Sequence, residues 1–213
     1  MRADTLFSSA ERERVEQAVR QVETHTAGEI AVMVVDQSSH YREADAVGGI
    51  FLASLISLVV TVEFFESSLW AYIPLSFLLF FPGRELFKRL PTLKAALIGR
   101  RRRELAVRDR ALKAFYEKGL YRTRENTGVL FFISLLERKV WVLADKGIHG
   151  KIPQDTWDQL ARLVSRGVKE KRACEALLEA ITEAGRLLAV HYPVKPGDID
   201  ELPDRIICEP GPG

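Results

Sequence analysis

Two uncharged runs separated by four residues constrain this chain more than any other feature. No charged residue occurs from Ala46 to Val62, and after Glu63-Phe64-Phe65-Glu66 a second uncharged run extends from Ser67 to Gly83. Each run is roughly 17 residues, the lower limit for crossing a hydrocarbon core as a helix. Joined by so short a loop, they read as a helical hairpin. The alternative is a pair of core helices, but a chain of 213 residues can hardly surround two helices that are apolar on every side. Residues 46–83 are therefore expected to be an inserted transmembrane hairpin.

The flanks set its direction. Arg84, Lys88, Arg89, Lys94 and the run Arg100 to Arg103 follow the hairpin, whereas the connecting loop carries only Glu63 and Glu66. Lys and Arg concentrate in cytoplasmic loops, so both hairpin ends are expected on the cytoplasmic side of the cell (inner) membrane, in a two-pass topology with both termini inside. A polar first segment, MRADTLFSSAERERVEQ, lacks the apolar core of a secretory signal. The arginine run fits attraction to anionic lipid beside a membrane, and a nucleic-acid patch is the competing reading. With a net charge of +2, no global field points to nucleic acid. Cys174 and Cys208 are far apart and in no metal or redox spacing, which suits a reducing compartment.

Outside the hairpin the pattern is that of a mixed α/β domain. Ser8 and Glu11 form a capping-box signature. Val15, Ala18, Val19 and Val22 then recur at helical spacing, predicting a helix that ends near His25. Glu29 to Val35 is a short β-branched run and reads as a buried strand. Leu105, Leu112 and Phe115, with Val107 and Ala111, mark another helix, ending near Gly119. Gly128 to Leu135 and Val140 to Ala144, separated by Glu137-Arg138-Lys139, read as an antiparallel hairpin. Trp157, Leu160, Leu163 and Val164 mark one further helix, and Leu177, Leu178, Ile181, Ala184 and Leu188 the last. The expected organisation is an α/β domain over 1–45 and 84–205, the hairpin over 46–83, and a flexible tail over 206–213.

Several motifs recur in a fixed order: Phe7-Ser8-Ser9-Ala10-Glu11, Gly28-Glu29-Ile30, Thr123 to Phe132 (TRENTGVLFF), Asp145 to Gly150 (DKGIHG), His191-Tyr192-Pro193 and Asp200-Glu201-Leu202-Pro203. Together they resemble the TPM-domain family, the group named for a thylakoid lumen protein, a photosystem repair protein and a nematode receptor modulator. The resemblance implies a small mixed sheet covered by helices. It also implies one of several roles: acid phosphatase, divalent-cation binder, or assembly and repair factor, with bacterial members beside LemA-type membrane proteins.

A site follows from topology. A helical crossover from the first strand to Gly128–Leu135 makes them parallel, so Thr26-Ala27-Gly28 and Asn126-Thr127-Gly128 open strands at one end of the sheet. The antiparallel return strand brings Asp145 to the same edge. Glu29, Asn126, Thr127 and Asp145 thus form a candidate metal-ligand set of oxygens suited to Ca²⁺ or Mg²⁺, with His149 as a candidate for proton transfer. The alternative is structural: Gly28, Gly128 and Gly147 serve tight turns, and Glu29 pairs with Lys146. Glu29, Asn126, Gly128, Gly147 and Gly150 match motif positions of the family, but many members have a small hydroxyl residue where this chain has Asp145.

For phosphoester chemistry the sequence has no P-loop, Cys-x5-Arg, paired-His or Gly-x-Ser-x-Gly motif. Asp198-Ile199-Asp200 follows the last helix with no strand to present it. The expected function is a membrane-anchored interaction or assembly module. Its partners are the lipid bilayer and a membrane protein, and it uses no organic cofactor. The alternative is a membrane-tethered metal-dependent phosphatase.

Overall fold

In the computed structural model, residues 2–194 and 204–210 are described. Asp198-Ile199-Asp200, the Asp200–Pro203 motif and the end of the tail lie outside them. The chain divides into two compact units, one formed by residues 1–39 with 104–213 and the other by residues 40–103. The second is wider than the 46–83 insertion read from charge, because structure continues on both sides of the uncharged runs.

The first unit holds a four-stranded sheet of order β3-β2-β1-β4, where β1 is Glu29–Val35, β2 Gly128–Ser134, β3 Lys139–Ala144 and β4 Ile207–Glu209. β1 pairs in parallel with β2 and with β4, and β2 pairs antiparallel with β3. All seven residues of β1 and of β2 are buried, as expected of parallel strands covered on both faces. One face carries Ile30, Val32, Val34, Phe131 and Ile133 against α1 (Ser9–Glu23), α7 (Gln154–Lys169) and α8 (Ala173–His191). The other carries Ala31, Met33, Leu130 and Phe132 against α5 (Arg100–Glu117). The capping box at α1 is present: Ser8 Oγ accepts from the Glu11 N–H at 3.3 Å, and Glu11 Oε2 accepts from the Ser8 N–H at 2.8 Å.

Two details differ from the sequence reading. On α5 the buried stripe is Val107, Ala111, Ala114 and Phe115, while Leu105 and Leu112 stay exposed. The stripe is turned toward Ala111, Ala114 and their neighbours, which pack with Met33, Leu130 and Phe132 of the sheet. The segment 206–213, expected to be loose, supplies β4. Met33, Val34 and Val35 pair with Ile207, Cys208 and Glu209, so the pairing partner, not local pattern, makes this strand.

The second unit contains α2 (Arg42–Phe64), α3 (Leu69–Lys88) and α4 (Pro91–Leu97). α2 and α3 pack through small residues: Gly48, Gly49, Ala53, Ser57 and Thr61 are buried on α2, and Gly83 on α3. A Cβ on Gly48 would sit 2.2 Å from the Phe87 ring, so no other residue fits there without displacing it. The small residues thus seal the two helices to each other. Among the described residues one helix, α2, is long and apolar enough to cross a membrane. α3 falls short because Arg84, Glu85 and Lys88 lie in its C-terminal part, so a two-span hairpin is not established.

Candidate functional site

The edge at which β1 and β2 begin and β3 ends gathers most of the residues singled out from sequence. Glu29 stands opposite Gly128 in the parallel register. Asp145 follows the last residue of β3 and donates its N–H to the Gly128 carbonyl at 2.9 Å. The Glu29 N–H donates to the Thr127 carbonyl at 3.3 Å, and the Thr127 hydroxyl donates to the Ala27 carbonyl at 2.8 Å. The two Thr-containing openings are therefore stitched together as well as aligned.

Asp145 has a local task. It is the N-cap of α6 (Lys146–His149), its Oδ1 accepting from the Lys146 N–H at 2.6 Å. Its Oδ2 is buried and has no hydrogen-bond partner among the described residues. Glycine is required next to it: a Cβ on Gly147 would lie 2.5 Å and 2.6 Å from the Asn126 and Glu125 carbonyl oxygens. This close approach presses α6 onto the 125–126 turn, where Asn126 takes a positive φ of 55°, a conformation asparagine tolerates. His149 is exposed at the end of α6.

Three residues of this edge carry no signal in the sequence reading of the site. Tyr192 donates its hydroxyl to the Gly147 carbonyl, while its own carbonyl accepts from the Ala27 N–H at 2.9 Å and the Thr26 hydroxyl at 2.7 Å. It ties the end of α8 to the strand openings and to α6 at once. Burial, with the Glu125 carboxylate adding to it, raises its pKa. Lys151 Nζ lies 4.2 Å from the centroid of the Tyr192 ring.

The other two are Glu23 and Asp204. Glu23, the last residue of α1, accepts the Ile30 N–H at 2.9 Å. Burial lifts its pKa to about 9 despite that hydrogen bond, and the neighbouring Glu29 and Asp204 carboxylates push the same way. Glu23 is thus protonated at neutral pH and hydrogen-bonded to Asp204, whose Oδ2 accepts from Arg20 Nε at 2.7 Å. Only the return of the C-terminal segment across β1 brings Asp204 here, so spacing along the chain could not reveal the pair.

Residues 96–187 match the family model of the TPM domain. This stretch is similar to the TPM domain. The match begins before α5 and ends within α8, so it includes β2, β3 and the Asp145 turn but neither β1 nor the acidic pair. The NMR structure of BA42 protein from the psychrophilic bacterium Bizionia argentinensis has the same fold, with a TM-score of 0.59 at 21% identity over 94% of this chain and 94% of that one. No curated protein matches the chain.

The TPM resemblance implies a divalent cation, and the edge can be tested for one. Among the described residues no three His, Cys, Asp or Glu side chains come together as a metal-holding group. Glu29 and Asp145 stand two strands apart, about 9–10 Å between backbones at the usual strand spacing. The carbonyl of Leu120 fills the space over the Gly128 that separates them, 2.5 Å from where a Cβ would be. Thr127 spends its hydroxyl proton on Ala27, and one oxygen of Asp145 is committed to the cap. Ca²⁺ takes about six to eight oxygens. The residues present do not fit a resident cation as a set.

Proposed function

We propose that this protein is a membrane-tethered TPM-domain module that acts by binding a membrane-protein partner at the cytoplasmic face. The observation that carries the tether is the inverted polarity of the second unit. Phe51, Leu58, Val59, Trp70, Ile73, Phe77, Leu78 and Phe81 are each more than half exposed, while the small and hydroxyl residues face inward. A continuous apolar surface of this kind is not left in water by a soluble domain; hydrocarbon covers it at no cost. The uncharged part of α3 is short, so the hairpin fits by thinning the bilayer or by dipping into it. The basic residues that follow it favour the cytoplasmic side.

Binding rather than catalysis is favoured by the surface of the first unit. Tyr116 and Tyr121 lie 5.3 Å apart between ring centroids, both exposed, with the Arg122 guanidinium 5.3 Å from the centre of the Tyr121 ring. Tyrosine and arginine are the residue types that dominate binding energy at protein interfaces.

Thiol labelling on intact cells tests the topology, using a membrane-impermeant maleimide in a Cys208→Ser background. Glu63→Cys, beside the hairpin loop, is expected to react from outside, and Arg108→Cys only after permeabilisation. Reaction of Arg108→Cys on intact cells would overturn the cytoplasmic placement.

A further inference from the structure

α4 is polarised the wrong way for water. Its one charged residue, Lys94, is 6% exposed, while Leu93 and Leu97 on either side are 49% and 50% exposed. A short surface helix in water turns leucines inward and lets a lysine reach out. Here Lys94 Nζ turns inward and lies 2.9 Å and 3.2 Å from the two carboxylate oxygens of Asp45 on α2, and 3.1 Å from the His40 carbonyl. Asp45 is equally buried. Two residues earlier on α2, Glu43 pairs with Arg102 at 2.9 Å, and both of those side chains are open to solvent. The unit therefore holds one dry ion pair and one wet one at neighbouring positions. A cleft beside the exposed pair is lined by the apolar Val47 and Leu97 and by the charged Glu43 and Arg102.

Inside a bilayer, ionisable side chains face the protein interior and pair with one another, while leucines face lipid. The pattern of α4 is that pattern. Resting on the tether reading above, we propose that the lipid-contacting surface does not end with the hairpin but includes α4. This helix lies in the membrane interface with Leu93 and Leu97 against acyl chains, and the Asp45–Lys94 pair clamps it to α2. The boundary with water then runs across the cleft, between Leu97 and the Glu43–Arg102 pair. The lipid bilayer is thus bound by three helices, and the arginine run begins where α4 ends, at headgroup level.

Site-directed spin labelling of the full chain in liposomes tests this, again in the Cys208→Ser background. Labels at Leu93→Cys and Leu97→Cys are compared with Val59→Cys on the hairpin and Arg108→Cys on the α/β domain. The expected result is that the two α4 labels relax strongly with oxygen and are shielded severalfold from a water-soluble nickel chelate relative to Arg108→Cys. If Val59→Cys is shielded and both α4 labels are not, the interfacial placement of α4 is overturned while the tether stands. If Val59→Cys is itself open to the chelate, the tether fails and this inference with it. The clamp is read separately: Lys94→Glu should expose the label at Leu97→Cys to the chelate, and adding Asp45→Lys should restore shielding. Shielding unchanged by Lys94→Glu would overturn the clamp.

Discussion

The two units of this chain differ most in what they turn outward. In the α/β unit, Phe131, Phe132 and Trp157 are fully enclosed, whereas in the helical unit Phe77, Phe81 and Trp70 face outward, and Gly48, Ser57, Thr61, Asp45 and Lys94 are enclosed beside Phe87. The same side-chain chemistry therefore has opposite consequences in the two places. Water organises the first unit by expelling aromatic surface. The second is organised by close backbone approach and by pairing of the few charges, which is how helices associate where no hydrophobic force acts between them.

The largest effects should come from treating like residues in the two units alike. Phe131→Ala is expected to cost about 3–5 kcal/mol of stability through lost transfer energy and a cavity, measured by denaturant unfolding in detergent. Phe77→Ala should leave the same transition in place; a comparable loss there would mean that Phe77 packs against protein and would break the contrast. Next in size, Asp45→Ala leaves Lys94 buried without its partner, a change that costs about 3–5 kcal/mol when no water can reach the charge and less when it can. Thermal unfolding of Asp45→Ala beside the Asp45→Ala, Lys94→Leu double variant sharpens the point, because the double variant should recover most of the loss. Gly48→Leu then tests the helix seam: overpacking against Phe87 should cost about 1–3 kcal/mol, seen as a lowered melting temperature of the helical unit. Gly99→Leu, where a Cβ would meet nothing, should be nearly silent.

A pH-dependent effect belongs to the α/β unit alone. Glu23 has a pKa lifted from its ordinary 4.5 to about 9 by burial, so between those values the folded state holds a proton that the unfolded state has released. Stability must then fall as pH rises through that window and level off above it. Glu23→Gln, which keeps a donor for Asp204 and cannot ionise, should flatten that slope in a series of melts from pH 5 to pH 9. An unaltered slope would remove Glu23 as its source.

How much of this was legible beforehand depends on whether the cause was local. β1 is announced by its own β-branched run, and its bounds fall at Glu29 and Val35 as read. The meeting of Glu29, Thr127 and Asp145 at one edge follows from the rule that helical crossovers join parallel strands. β4 has no such announcement, because three residues become a strand only by pairing with β1. α4 is too short for a periodic signal and begins at Pro91, a residue that suits a helix start but also marks many turns. Glu23 and Asp204 belong to opposite ends of the chain, and nothing in either neighbourhood names the other. The uncharged runs gave the apolar surface correctly but not its extent, since the outward leucines of α4 lie among basic residues that hide them from a charge count.

The central claim is that the outward apolar surface of the helical unit lies in lipid. Flotation of the full chain in a density gradient, after washing membranes with alkaline carbonate, tests it most directly. The account predicts that the protein rises with the lipid and is released only by detergent. Recovery in the carbonate supernatant as a folded species, with nothing in the floating fraction, would contradict it.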